Sequence, residues 1–162
     1  GFERAISSVW VLLMNSLPSC FFHRARSITW CGHSLGGALA TLAATRCASR
    51  LTKAVITFGS PHVGDRSFKR SYNNDLLDVT VRCVNNNDVV PRLQFWRSHV
   101  GRLWYLDVNG NLREGGLAGL ALIRDRIIGR LRHFGRCGTD GITDHDIQEY
   151  LDHLGKIRAK GR

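Results

Sequence analysis

The feature that most constrains this chain is the run Gly32-His33-Ser34-Leu35-Gly36, a G-x-S-x-G pattern with an apolar segment on one side and a small-residue segment on the other. Ser27–Cys31 before it reads as a short strand. Ala38–Ser49 after it, rich in Ala and Leu, reads as a helix. A strand that turns into a helix within so few residues puts a serine at the apex of a sharp bend, and side chains two positions to either side of it would collide. Glycine is the residue that fits there. Such a bend holds the serine in a strained conformation and leaves it exposed, the context in which G-x-S-x-G presents a nucleophile. Ser34 is therefore the candidate nucleophile. The next amide, Leu35 N–H, opens the helix and points to where an oxyanion would develop.

The remaining pattern extends this strand-turn-helix unit. Phe2–Leu17 places Ala5, Ile6, Val9, Leu12, Leu13 and Leu17 near a 3.6-residue period and predicts an amphipathic helix ended by Pro18. Ala54–Gly59 and Val79–Val84 read as buried strands, with a helix from about Asp65 to Asn73 between them. Arg102–Val108 and Leu112 flank Asn109-Gly110, a strong hairpin signal. A helical pattern over Leu117–Phe134 and a Gly-rich break follow. The last helix is expected to start at Thr143-Asp144 and to carry Ile147, Leu151 and Leu154 on one face, with a basic, solvated tail over about 155–162. Strands alternating with helices predict an α/β fold, a mostly parallel sheet flanked by helices, in a single domain spanning 1–162.

Composition removes several function classes. The longest apolar stretches, Val9–Met14 and Leu117–Ile123, fall well short of the ~20 apolar residues a membrane-spanning helix needs. The five cysteines are odd in number and form no CxxC pair, which speaks against a zinc site or redox motif and leans toward a reducing compartment. No metal or organic cofactor is implied. The net charge is +10, and Arg97–Arg136 holds eight arginines against Asp107, Glu114 and Asp125. That balance favours anionic partners, yet no RNA-binding signature, zinc-finger spacing or basic-zipper pattern accompanies it, so nucleic acid is not the expected partner.

With these residues in view, the run Thr29–Ala40 resembles the class 3 lipase family, the fungal-type triacylglycerol lipases with an α/β-hydrolase fold. Phe58-Gly59-Ser60-Pro61-His62-Val63-Gly64-Asp65 is similar to the family's loop after the next strand. Arg82 with Asn85-Asn86-Asn87-Asp88-Val89-Val90-Pro91-Arg92-Leu93 is similar to its acid segment, and Asp144-His145 with Tyr150 to its histidine segment. Family members place their triad in the chain order Ser, acid, His, which Ser34, Asp88 and His145 obey. By position alone Asp88 is equally an Asx-turn residue, and His145 is an exposed helix-start residue with His133 and His153 as rivals. The resemblance assigns the acid to Asp88 and the base to His145. Arg82 and Arg92 read as structural or surface charges.

The resemblance implies a serine ester hydrolase acting on acylglycerols or related carboxylic esters, with phospholipase A1-type hydrolysis or non-catalytic binding to a lipid surface as alternatives. It also places a second oxyanion donor and a lid upstream of Gly1-Phe2, so the domain is expected to be N-terminally incomplete. One segment carries a separate expectation. Over 117–134, Leu117, Leu120, Ala121, Ile123, Ile127, Ile128, Leu131 and Phe134 gather on one side, with Arg126, Arg130, Arg132 and His133 off that stripe. Such a helix either packs into the core with a basic solvated face or lies at an anionic lipid surface.

Overall fold

A computed structural model describes residues 1–16, 27–47, 51–93, 97–132 and 140–160. Helix α1 (Phe2–Ser16) is followed by β1 (Ile28–His33), α2 (Leu35–Arg46), β2 (Thr52–Phe58), α3 (Arg66–Leu76) and β3 (Thr80–Asn85). A 3-10 turn (Val90–Arg92), the hairpin β4 (Arg102–Leu106) and β5 (Leu112–Glu114), and helices α4 (Gly119–Arg132), α5 (Asp140–Thr143) and α6 (Ile147–Lys160) complete the order. The strands form one five-stranded sheet in the order β1-β2-β3-β4-β5. β1 to β4 run parallel, with Trp30 opposite Val55, Thr57 opposite Arg82 and Cys83 opposite Trp104. β5 returns antiparallel to β4.

Parallel neighbours need crossovers, and α2 and α3 supply the first two. α2 can lie close on the sheet because its inward residues are small: Ala38, Ala43 and Ala44 are buried against Trp30, Val55 and Tyr72. α6 covers the opposite face, where Tyr150, Leu154 and Ile157 pack on Phe58, Cys83, Trp104 and Leu106. The helix does not yield to a solvated tail at Gly155; it runs on to Lys160 because Ile157 still finds this apolar surface. No helix among the described residues is long and apolar enough to cross a membrane.

Three local expectations change. In α1 the inward stripe is Phe2, Ile6 and Trp10, while Val9, Leu12 and Leu13 are exposed. The hairpin is not a two-residue Asn-Gly turn. The buried Asp107 carboxylate accepts the Asn109 and Asn111 N–H groups and Arg113 Nε–H, which organises a wider loop. α4 is turned over relative to its apolar stripe: Leu120, Ile123, Ile127 and Leu131 are exposed, Leu120 at 83%. Its inward line carries Asp125, which accepts Tyr105 O–H at 2.8 Å and Val108 N–H at 3.0 Å, and Gly129. A Cβ at Gly129 would come within 2.6 Å of the Asn86 and Asn87 side-chain amides. Polar anchoring and close approach, not the apolar stripe, decide which side of α4 faces the sheet.

Candidate active site

β1 ends at His33, and the chain then bends through Ser34, whose φ of 54° and ψ of −126° lie outside the regions ordinary residues favour. Ser34 N–H donates to Phe58 O on β2 at 2.9 Å, and Gly37 N–H donates back to Ser34 O at 3.0 Å, so strand and helix pin the bend from both sides. Gly32 is the glycine this geometry demands, because a Cβ there would overlap the Gly36 carbonyl. Gly36, expected to be needed for the same reason, faces open space among the described residues. Gly37 takes that role, since its Cβ would sit 2.8 Å from Ser60 Cβ. Leu35 is the first residue of α2, where helix geometry leaves N–H groups without intrahelical acceptors.

Ser34, Asp88 and His145 are brought together from three separate segments. His145 Nε2 lies 2.8 Å from Ser34 Oγ, and His145 Nδ1 lies 3.0 Å from both oxygens of Asp88. A carboxylate only accepts, so Nδ1 carries the imidazole proton and Nε2 turns its lone pair to the serine hydroxyl. Asp88 is fully buried. Its remaining acceptor capacity is filled by Tyr150 O–H at 2.6 Å and by Val90 N–H at 2.9 Å. The Val90 contact is an Asx-turn, so Asp88 shapes its own loop and faces His145 at once.

One rival of His145 lies elsewhere. His153 Nδ1 is buried on α6 with no hydrogen-bond partner among the described residues, and His133 lies outside them. Among the described residues no cluster of three or more His, Cys, Asp or Glu side chains is arranged to hold a metal.

The family is decided by comparison with known proteins. Residues 1–98 match the family model described as Lipase (class 3). The chain belongs to the class 3 lipase family. It is 38% identical over 98 residues to Lipase ZK262.3 of Caenorhabditis elegans, covering 57% of this chain and 27% of that protein. It is 41% identical over 71 residues to the chloroplastic Phospholipase A(1) DAD1 of Arabidopsis thaliana, covering 41% of this chain and 16% of that protein. The Rhizomucor miehei lipase propeptide complex superposes with a TM-score of 0.58 at 26% identity, over 70% of this chain and 39% of that one. A triacylglycerol lipase described as having a serine protease triad for its catalytic centre gives 0.57 at 26% identity, over 65% and 43%. The sheet is thus that of an α/β-hydrolase lipase. The chain spans about a quarter or less of the curated relatives named here and less than half of these structures.

Four further residues support this candidate site, and none was given a role from its own position in the sequence. His33, at the end of β1, donates from Nε2 to the His145 carbonyl at 2.6 Å, with the two rings 4.6 Å apart. Gly59, at φ +57°, leaves room for the pair, since a Cβ there would stand 2.6 Å from Asp88 Oδ2 and 2.8 Å from His145 Nδ1. Asp144 accepts Asn87 N–H at 2.9 Å and takes the Asn85 side-chain amide on its carbonyl at 3.2 Å, tying the histidine loop to the acid loop. The Tyr150 phenol oxygen in turn accepts Asn85 N–H at 3.0 Å. Burial and the Asp88 charge hold the Tyr150 phenol protonated far above its ordinary range. The doublet Gly59-Ser60 after a buried strand was a usable signal. The roles of His33 and Asp144 depend on loops meeting across the sheet and leave no local mark.

Proposed function

We propose that this chain carries the machinery of a serine ester hydrolase that cleaves acylglycerol or related carboxylic esters. The unbroken line Ser34 Oγ, His145 Nε2, His145 Nδ1, Asp88 is the observation that carries the reading. A serine hydroxyl is a weak nucleophile until a base takes its proton, and the base needs a fixed carboxylate to hold its tautomer and stabilise the imidazolium. His145 removes the Ser34 proton as Oγ attacks the ester carbonyl, and Leu35 N–H faces the oxyanion. The protonated His145 then gives its proton to the departing alcohol. Water deprotonated by His145 attacks the acyl-enzyme, and the proton returns to Ser34 as the acid leaves.

Similarity to the chloroplastic Phospholipase A(1) supports a second reading, in which the same residues cleave a phospholipid acyl ester. The test is hydrolysis of a soluble short-chain ester, a triacylglycerol emulsion and phospholipid vesicles, with Ser34→Ala beside the wild type. Ser34-dependent hydrolysis supports the proposal and its distribution picks the substrate; hydrolysis of none of them leaves a lipid-surface binding domain. We infer further that α4 meets an anionic bilayer. Its exposed apolar stripe lies beside the exposed Arg124 and Arg130, and each cation near such a surface adds ~1 kcal/mol.

A further inference from the structure

Beneath α4, on the face of the sheet away from α6, lies a cavity of about 380 Å³ whose charged lining residues are all arginines. Arg82 reaches it from β3, Arg92 from the 3-10 turn and Arg126 from α4. His62, His99 and Tyr105 complete its polar wall. Arg82 is largely buried and Arg92 is half-buried. Arg82 Nε and Arg126 Nε are buried without a hydrogen-bond partner among the described residues. Arg92 spends one Nη on Asn86 O at 2.6 Å.

The nearby carboxylates are already engaged. Asp125 serves Tyr105 and Val108, and Asp88 serves His145, Tyr150 and Val90. Burial pulls the Arg82 guanidinium down to about 10, and burial with Arg126 nearby lowers Arg92. The two histidines stack with ring centroids 3.6 Å apart. Each donates to the acid-loop backbone, His62 Nδ1 to Leu93 O and His99 Nε2 to Pro91 O, both at 2.7 Å. Their hydrogen bonds hold the wall, and they add no negative charge to it.

Buried charges in folded proteins are paired, and guanidinium groups match the oxygens of phosphate and carboxylate in a planar fork. We propose that this cavity binds a phosphate-class oxyanion between Arg82, Arg92 and Arg126, at a site separate from Ser34. The anion is either a free phosphate or phosphomonoester, or the phosphodiester of a lipid headgroup. The proposal does not depend on the hydrolase reading.

The test titrates inorganic phosphate, glycerol 3-phosphate and dimethyl phosphate into the wild type by calorimetry and thermal unfolding, at constant ionic strength made up with chloride. Sedimentation with phosphatidylglycerol or phosphatidylcholine vesicles forms a separate arm. Saturable binding is expected, at least tenfold weaker in Arg82→Gln and in Arg126→Gln and unchanged in Arg70→Gln, a change at an exposed arginine outside the cavity. In phosphate-free buffer Arg82→Gln should unfold at a higher temperature than the wild type, since it removes an unpaired buried charge, whereas a purely structural Arg82 would give the reverse. Binding of inorganic phosphate and glycerol 3-phosphate but not of dimethyl phosphate assigns a soluble phosphate. Binding of the diester, with loss of phosphatidylglycerol sedimentation in Arg82→Gln, assigns the headgroup. Should either variant fail to fold, Arg92→Gln replaces it in the same titration. No saturable binding by any of the three anions, or binding unchanged in the arginine variants, would overturn the proposal.

Discussion

Ser34 keeps a positive φ because Gly32 lets the strand approach the helix without a side chain between them. The two motif glycines are therefore not equivalent. Gly32→Ala forces backbone apart and is expected to cost ~3 kcal/mol or more, whereas Gly36→Ala, in open space near the start of a helix, is expected to gain ~0.5 to 1 kcal/mol. Urea denaturation of the two variants checks the contrast. A second residue-scale expectation concerns acid. Burial together with the Arg82 charge drops His99 from 6.5 to about 3, and burial lowers His62 as well. The folded state thus binds fewer protons than the unfolded chain between those values. Their contribution is complete above pH 6.5 and is lost as pH falls toward 3. His99→Gln should flatten that acid limb, by ~2 kcal/mol at about pH 4.5 relative to pH 7, each pKa unit being ~1.4 kcal/mol.

Elements were legible where their cause is local. The strand, bend and helix around Ser34 follow from adjacent residues, and α3 begins where Asp65 signals it, with Oδ1 accepting Phe68 N–H at 2.8 Å. Asp65→Ala should accordingly lower stability by ~1 kcal/mol in a denaturant titration. The start of α6 was misplaced because Asp144 is drawn into the acid loop, leaving Asp146 to accept Gln148 N–H at 2.9 Å. The face of α4 stayed open between core and lipid surface for a similar reason, since Asp125 and Gly129, which decide it, answer to Tyr105, Asn86 and Asn87 rather than to their own helix. If the exposed stripe serves a bilayer, Leu120→Ser, Ile123→Ser and Ile127→Ser combined should weaken sedimentation with phosphatidylglycerol vesicles at least tenfold. Folding stability should change little, as exposed positions usually do. Unchanged sedimentation would return the stripe to an uncommitted surface.

At the scale of the whole molecule, the sheet sets Ser34 just past the end of β1 and Asp88 past the end of β3, and α5 and α6 deliver His145 above them. Open α/β sheets place their sites at these carboxyl ends. That convergence is why Ser34 was readable alone while Asp88 and His145 were not: the first is marked by its neighbours, the others by a meeting of loops 57 residues apart in sequence. The central claim is that these three form one working unit. It is tested most directly by treating the protein with a fluorophosphonate probe and mapping the adduct by peptide mass spectrometry. The adduct is expected on Ser34, absent in Ser34→Ala, and formed at least ~10²-fold more slowly in His145→Ala and Asp88→Asn, since the three side chains act together. An unlabelled Ser34, or labelling at the wild-type rate without His145, would contradict it.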